Sequence, residues 1–174
     1  MFPAQRSIPT AAPTTAWRIA QDEAAFEAIF EDGVNLVVWR RNGRAPAIDP
    51  TFVDPPRRLM RSVGGQSVSS QDVARLVELF ATLTDAQGVG IRLEATARQT
   101  CPKWHTDRVG LRLMTTYTGP GTEWLDGDAT HRASTGDVLI AKGELWPSAP
   151  GACVHRSPDP QGATRLLLTL DELR

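Results

Sequence analysis

The chain has 174 residues, with 19 basic and 20 acidic side chains and a formal net charge of −1. This length suits one domain with its own hydrophobic core. The balanced charge argues against a nucleic-acid-binding or anionic-membrane-binding surface, because both need a basic excess. Hydrophobic residues make up 41%, which excludes wholesale disorder. Thirteen prolines and fourteen glycines favour short strands and turns over a helix bundle.

The sequence contains no segment typical of membrane insertion or secretion. No apolar run approaches the roughly 20 residues that cross a bilayer. Residues 1–16 are rich in Pro, Thr and Ala and lack the apolar core of a signal peptide, so we expect a flexible tail. Two cysteines, Cys101 and Cys153, are too few for a disulfide framework. We therefore expect a reduced, cytoplasmic protein with no membrane partner.

Helical patterns are the main feature of the first half. Apolar residues recur at helical spacing over 21–30, and again over 70–83, where Ser69 or Ser70 supplies a cap. Between these helices, the β-branched run 34–41 predicts a strand. Residues 42–56, which are rich in proline, predict an irregular connection.

Strand patterns replace the helical ones after residue 88. Apolar or β-branched runs separated by Gly, Pro and Asp turns predict strands over 89–96, 107–118, 137–142, 152–156 and 164–171. Short strands at such spacing favour an antiparallel barrel or jelly roll. We therefore predict an α+β, mainly β fold with a single domain over 17–174, in which 17–88 is a helical support region and 89–172 is the β core.

Three side chains in the β core have the spacing of a metal site. His105 and Asp107 form an H-x-D motif before a strand, and residues two apart on a strand project from the same face. His155 arrives on another predicted strand fifty residues later. Two histidines and one carboxylate leave three positions open on an octahedral metal, which is the ligand set of non-haem Fe(II) oxygenases.

Arg165 follows His155 by ten residues, across a turn rich in Pro and Gly. The strand that carries Arg165 can therefore fold back beside the strand that carries His155. A guanidinium near the metal can form bidentate hydrogen bonds with a carboxylate. The H-x-D motif, His155 and Arg165 could each be ordinary core or surface residues. Few unrelated sequences combine all three in a predicted β fold.

Other residues near these motifs have two interpretations each. Cys101 precedes His105 by four residues, and a thiolate with two histidines and Asp107 would close a tetrahedral zinc site. The alternative for Cys101 is a small buried hydrophobic residue. Three tryptophans beside the motifs form either a substrate-pocket wall or core and rim packing. They are Trp104, Trp124 and Trp146.

This arrangement resembles the double-stranded β-helix (jelly-roll, cupin-like) dioxygenases that depend on Fe(II) and 2-oxoglutarate. The resemblance covers about residues 92–170 and includes TTYTGPGTEWL at 115–125 and STGDVLIAK at 134–142. It implies that His105, Asp107 and His155 hold iron and that Arg165 anchors 2-oxoglutarate. Tyr117 has the same strand parity as Asp107, which makes its hydroxyl a second candidate for the carboxylate. The alternative is a core tyrosine.

A narrower resemblance is to the bacterial family called domain of unknown function 1826. It is carried by the blocks CPKWHTD, LRLMTTYTGPGTEWL, AKGELWP, VHRSP and RLLLTLD. Together the resemblances imply a dioxygenase-like protein that hydroxylates a protein side chain or a small metabolite. The alternative is a non-catalytic zinc-binding module linked to metal homeostasis.

Overall fold

The computed structural model describes residues 16–42, 59–62, 71–147 and 151–173. Short strands dominate this part of the chain, with one 3₁₀ helix and one α-helix between them. In chain order the elements are β1 (Trp17–Ala20), the 3₁₀ helix (Glu23–Phe30), β2 (Leu36–Trp39), β3 (Leu59–Ser62), α1 (Gln71–Thr84), β4 (Gly88–Thr96), β5 (Leu111–Thr118), β6 (Glu123–Asp126), β7 (Ala129–Arg132), β8 (Val138–Lys142), β9 (His155–Arg156) and β10 (Arg165–Leu173).

The strands form two sheets. The major sheet has seven strands in the order β1-β2-β8-β5-β10-β4-β3, and every neighbouring pair is antiparallel except β1 and β2. The minor sheet has three strands in the order β7-β6-β9, all antiparallel. The predicted mainly β chain with few helices is thus confirmed.

One face of the major sheet is covered by the helices. The apolar stripe of α1, including Val73, Leu76 and Phe80, packs into one cluster with alternate residues of the strands. On β5 and β10 these alternate residues are Leu111, Leu113, Tyr117, Leu166, Leu168 and Leu170. Because side chains alternate across a strand, the residues between them project from the opposite face.

The opposite face of the major sheet is only partly covered. A second apolar cluster joins Leu36, Leu139 and Met114 of the major sheet to the fully buried Trp124 of the minor sheet. The minor sheet therefore lies over β2, β8 and part of β5. Further along the same face, residues of β4 and β10 line a cavity.

Several sequence predictions are met with shifts in their boundaries. The helix predicted over 70–83 is α1, whereas the helix predicted over 21–30 is a 3₁₀ helix, with Asp22 as its cap. The short strands β1, β3, β6 and β7 were not predicted, and β1, β2 and β3 place part of the predicted support region in the major sheet. Residues 1–15 of the tail expected over 1–16, most of the irregular connection over 42–56 and the cap at Ser69 or Ser70 lie outside the described residues.

Candidate metal centre

Backbone pairing brings the two motif histidines together. The amide of His105 donates to the carbonyl of His155, and the amide of His155 donates to the carbonyl of His105, each over 3.0 Å. On its other side, β9 pairs with β6, where His155 lies opposite Trp124. Residues directly opposite on antiparallel strands present their side chains to the same face, and the two imidazole centroids are 4.6 Å apart.

A backbone carbonyl near Nδ1 orients each of the two imidazole rings. Nδ1 of His105 lies 3.0 Å from the carbonyl oxygen of Lys103, and Nδ1 of His155 lies 3.2 Å from that of Cys153. A carbonyl only accepts hydrogen bonds, so the proton belongs on Nδ1 and the lone pair on Nε2 when the ring is neutral. Each histidine therefore presents Nε2 as a ligand atom.

Asp107 completes the cluster. Its Oδ2 lies 3.1 Å from Nε2 of His155, and its Oδ1 lies 3.8 Å from Nε2 of His105. The three ligand atoms all lie within 4.8 Å of one another, and this is the one group of potential metal ligands of its kind in the described part of the chain. The structure therefore brings together the three side chains that the sequence selected.

The chemistry of the cluster fits a metal ion. Oδ2 of Asp107 is buried and accepts no well-directed hydrogen bond, although it faces an imidazole nitrogen. A buried carboxylate oxygen without a partner is costly, and a cation between it and the imidazoles would satisfy it. Two imidazoles and one carboxylate with open positions suit Fe(II).

Charge coupling within the cluster shifts the pKa of each ligand. Burial alone would lower the pKa of His155, but the neighbouring Asp107 carboxylate outweighs burial and raises that pKa to about 10. Burial, followed by the charge of His155, lowers the pKa of His105. Burial opposes ionisation of Asp107, yet His155 and Arg112 hold its pKa well below its usual range. Without a metal, these shifts favour a protonated His155 beside an ionised Asp107.

Two further residues, Arg112 and Asp171, support the Asp107 carboxylate, and neither was predicted as a site residue. Nη1 of Arg112 contacts Oδ1 of Asp107 over 2.7 Å, while Nε and Nη2 of Arg112 donate to the two carboxylate oxygens of Asp171 over 2.6 and 2.8 Å. Arg112 and Asp171 are direct partners across β5 and β10. Only the strand register reveals this pairing, so no local pattern signals it.

Arg165 lies buried in the same cavity as the cluster. Its Nε donates to the carbonyl of Pro120 over 2.9 Å, and its Nη2 donates to the hydroxyls of Thr122 over 2.9 Å and Thr116 over 3.3 Å. Among the described residues, its Nη1 contacts only the Ser157 hydroxyl, over 3.4 Å. Burial lowers the pKa of Arg165 to about 10, so the guanidinium stays charged at neutral pH.

No acidic side chain of the described residues lies within salt-bridge distance of Arg165. When neutral oxygens hold a buried guanidinium, its positive charge is not compensated and can pair with an anionic ligand. The cavity has a volume of about 1090 Å³, and its lining includes His105, Asp107, His155 and Arg165. Because pockets for small molecules commonly measure about 300–1,000 Å³, it has room for more than one bound molecule.

Tyr117 is not brought to this cavity, which corrects the prediction from strand parity. Its ring lies in the apolar cluster under α1, and its hydroxyl donates to Oδ2 of Asp72 over 2.6 Å. Parity fails because Asp107 precedes the strand, which begins only at Leu111 after a bend at Gly110. The residues of β5 that face the cavity are instead the even-numbered Arg112 and Met114.

The two cysteines have separate environments. Cys101 lines the cavity, but it is not a member of the cluster of ligand atoms. Cys153 is buried in the apolar cluster around Trp124. The four-ligand zinc site predicted as an alternative is therefore not assembled in this structure.

The three tryptophans near the motifs do not line the cavity themselves. Trp124 is buried between the sheets, and Trp146 packs on Phe30 with ring centroids 5.7 Å apart. The ring of Trp104 lies 4.1 Å from the guanidinium carbon of Arg156, and Arg156 does line the cavity. Packing, the second interpretation, thus describes Trp124 and Trp146.

Solved structures, among them a dioxygenase, have a similar fold. The dioxygenase for auxin oxidation 1 from Arabidopsis thaliana, solved as its 2-oxoglutarate binary complex, is 9% identical over 92% of this chain and 92% of its own, with a TM-score of 0.56. A Neurospora crassa protein, truncated at its C-terminus and solved in apo form, is 11% identical, with coverages of 97% and 100% and a TM-score of 0.56. The full-length form of that protein, in complex with alpha-KG, is 11% identical, with coverages of 86% and 78% and a TM-score of 0.52. At these identities the likeness concerns the fold alone.

In the described ranges, no helix is long and apolar enough to span a membrane.

The family of the chain follows from its sequence. No curated protein matches it. The model of the family described as protein of unknown function (DUF1826) matches residues 51–171. Since the match covers well over half of the sequence, the chain belongs to this family.

Proposed function

We propose that the protein is an Fe(II)- and 2-oxoglutarate-dependent oxygenase whose two sheets form a double-stranded β-helix. One observation carries the proposal. A single cavity is lined by a two-histidine, one-carboxylate cluster and by a buried arginine that has no acidic partner among the described residues. The first feature suits Fe(II) and the second suits the distal carboxylate of a 2-oxo acid. The fold shared with the solved dioxygenase for auxin oxidation supports this combination.

His105, Asp107 and His155 would hold the iron. When bound, the iron supplies oxygen activation, in which 2-oxoglutarate and dioxygen yield succinate and carbon dioxide while one oxygen atom enters a C–H bond of the substrate. The protein's own contribution is orientation. The carbonyls of Lys103 and Cys153 fix both imidazoles with Nε2 toward the site.

Arg112 and Arg165 have distinct roles in this proposal. Arg112 occupies Oδ1 of Asp107 and so leaves Oδ2 as the ligand oxygen. Arg165 binds the distal carboxylate of 2-oxoglutarate through Nη1, whose contact with the Ser157 hydroxyl is long, at 3.4 Å. Since both guanidinium groups lie away from bulk water, each interaction is stronger than it would be at the surface.

The test is anaerobic addition of Fe(II) and 2-oxoglutarate to the full chain. We expect the weak visible absorption band of the bidentate iron–2-oxoglutarate complex. Arg165→Met should weaken 2-oxoglutarate binding at least tenfold, because it removes charge-assisted hydrogen bonds, and should leave iron affinity within a few-fold of the wild type. Arg92→Met is the matched control, since Arg92 lines the same cavity and its polar contacts with described residues are long, 3.4 Å to Glu94 and 3.5 Å to Thr169.

Two results would overturn this proposal. One is the absence of the absorption band in a wild-type protein that binds iron, and the other is an unchanged 2-oxoglutarate affinity in Arg165→Met. Elemental analysis of natively purified protein adds a test of the zinc alternative. Zinc content that depends on Cys101 would favour that alternative, whereas the position of Cys101 outside the ligand cluster favours iron.

A further inference from the structure

A smaller pocket lies at the end of the major sheet, where β5 begins and β10 ends. We call it the end pocket. Its apolar lining consists mainly of Phe30, Leu111, Trp146 and Leu173. The volume is about 330 Å³, near the lower limit of pockets that bind small molecules. The end pocket is therefore large enough for one bulky side chain.

The rim of the end pocket exposes large apolar side chains. Phe30 is 45% exposed, and Leu145, which directly precedes Trp146, is 48% exposed. In the described part of the chain, Ile19 is the one other large apolar residue that is so exposed. The rings of Phe30 and Trp146 are in contact, with centroids 5.7 Å apart. Exposed apolar groups around a concave site are typical of an interaction surface.

The charge around the end pocket is negative. Asp85 and Glu172 line it, and no basic residue among those described does so. Asp85 directly follows α1, whose last turn has no basic residue, so the negative end of the helix dipole adds to the charge of this carboxylate. Glu31 is exposed at the end of the 3₁₀ helix. Lys142 lies 5.3 Å from the ring of Trp146, but it is buried and does not line the pocket.

The end pocket and the cavity of the metal centre share a wall. Leu173 lines both of them. Asp171, which lines the cavity, is two residues from Leu173, or about 7 Å along β10. Arg112 joins Asp171 to the proposed ligand Asp107. A few residues of an extended chain would therefore reach from the end pocket past Leu173 to the metal centre.

We propose that the end pocket docks a protein substrate by taking a bulky apolar side chain that has a lysine or arginine next to it. The apolar walls bind the first side chain, and the negative rim attracts the second. A polypeptide presents a side chain about every 3.3 Å, so one can dock while another enters the cavity. The docking itself is independent of a metal, whereas the role as substrate rests on the proposed function.

The first test is binding of tripeptides to the full chain. The indole N–H resonance of Trp146 in ¹H–¹⁵N NMR spectra reports binding, and a spectrum of Trp146→Phe assigns it. The probe acetyl-Lys-Phe-Lys-amide should bind at least tenfold more tightly than acetyl-Lys-Ala-Lys-amide, because it buries an aromatic ring. Acetyl-Glu-Phe-Glu-amide should also bind more weakly than the probe, because Asp85 and Glu172 repel it.

Variants of the pocket locate the binding site. Phe30→Ser should weaken the Lys-Phe-Lys probe at least fivefold, because it removes an apolar wall. Asp85→Asn should weaken it about threefold, and it carries the test if Phe30→Ser does not fold. Ile19→Ser is the matched control, since Ile19 is 51% exposed on β1 and does not line the pocket. Its affinity should stay within twofold of the wild type.

Three results would overturn the docking site. The first is equal affinity for the three peptides, and the second is no binding to the wild type at millimolar concentrations. The third is self-association of the wild type, measured by sedimentation, that Phe30→Ser abolishes. In that case a second copy of the chain occupies the pocket.

The role as substrate is tested with the zinc-loaded chain. The Lys-Phe-Lys probe is joined at either end to a metal-binding hydroxamate through roughly two to six glycines, which span about 7–20 Å. If the path to the metal is open, the second contact is intramolecular, and affinity should rise at least tenfold over the glycine hydroxamate alone. Phe30→Ser should lose this gain. No gain at any linker length would overturn the role as substrate.

Failure of the proposed function gives a different result. The zinc-treated chain then does not bind the glycine hydroxamate at all. The tripeptide still binds to the end pocket, because none of the residues that line this pocket belongs to the ligand cluster.

Discussion

At the scale of single residues, the proton of His155 competes with a metal ion. The pKa of His155 is raised from 6.5 to about 10, so its proton stabilises the metal-free fold. That contribution is fully present below about pH 6.5 and is lost as the pH rises toward about 10. Metal binding requires neutral His155, so metal affinity should rise over the same pH range.

We therefore predict that metal binding at about pH 8 releases roughly one proton, where an unshifted histidine would release almost none. Calorimetry with zinc in two buffers of different ionisation enthalpy measures this number. The variant His155→Ala controls for protons released elsewhere and should bind zinc far more weakly. Zinc binding without proton release would contradict the assigned pairing.

Arg112 is the second residue with a testable role, because it holds the ligand Asp107 without touching the proposed metal position itself. Arg112→Met frees Oδ1 of Asp107 and should lower metal affinity about tenfold to a hundredfold, as is typical when a ligand loses its supporting hydrogen bond. Competition with a chromophoric chelator measures the affinity. Arg92→Met, a cavity-lining substitution away from the ligands, should keep wild-type affinity. Equal affinities in both variants would show that Arg112 is not needed.

At the scale of elements, the turn after β8 holds the loop that carries Asp107. The amides of Gly143, Glu144 and Leu145 donate to the carbonyls of Gly110, Asp107 and Val109, respectively, over 2.8, 2.8 and 3.0 Å. The hydroxyl of Thr106 donates to the carboxylate of Glu144 over 2.5 Å. The block AKGELWP thus positions the proposed metal ligand Asp107, although none of its residues lines the cavity.

Gly143 is needed for the close approach of these two segments. A Cβ at this position would overlap the carbonyl oxygen of Val109 and lie 2.7 Å from that of Asp107. Gly143→Ala should therefore lower the free energy of unfolding by about 1–3 kcal/mol and weaken metal binding. Urea unfolding of the metal-free protein and chelator competition measure the two effects.

Gly90→Ala is the control for this substitution. A Cβ at Gly90 meets Leu173 at 3.5 Å, which is an ordinary contact, so stability and metal affinity should be close to wild type. If Gly143→Ala and Gly90→Ala had the same free energy of unfolding and the same metal affinity, the turn would have no positioning role.

At the scale of the whole molecule, the major sheet separates a structural face from a chemical one. On the helical face, Asp72 of α1 accepts from Tyr117 over 2.6 Å and pairs with Arg41 over 2.7 Å. On the other face lie the metal cluster and Arg165. Changes on the helical face should therefore alter stability without altering ligand binding.

Tyr117→Phe tests this separation. It removes a hydrogen bond to a charged group and should lower the free energy of unfolding by about 1–3 kcal/mol. Affinities for iron and 2-oxoglutarate should stay at wild-type values in the same protein. A loss of 2-oxoglutarate affinity without loss of stability would restore Tyr117 as a cavity residue.

The sequence by itself determined the residue types and spacing of the centre. His105 and Asp107 are close along the chain, and the β pattern around His155 and Arg165 is local. Local spacing also predicted α1 and most long strands, because apolar periodicity reflects which face is buried. The short strands β6 and β7 carry too few residues for such a pattern.

Only the tertiary structure decided which distant residues meet. The pairing of Arg112 with Asp171 and of Arg156 with Glu123 depends on strand register, and a shift of one residue would turn each side chain to the other face. The bend before β5 likewise sent Tyr117 to the helical core, although strand parity had placed it with Asp107. Register and bends are set by the packing of the whole chain, which no local pattern records.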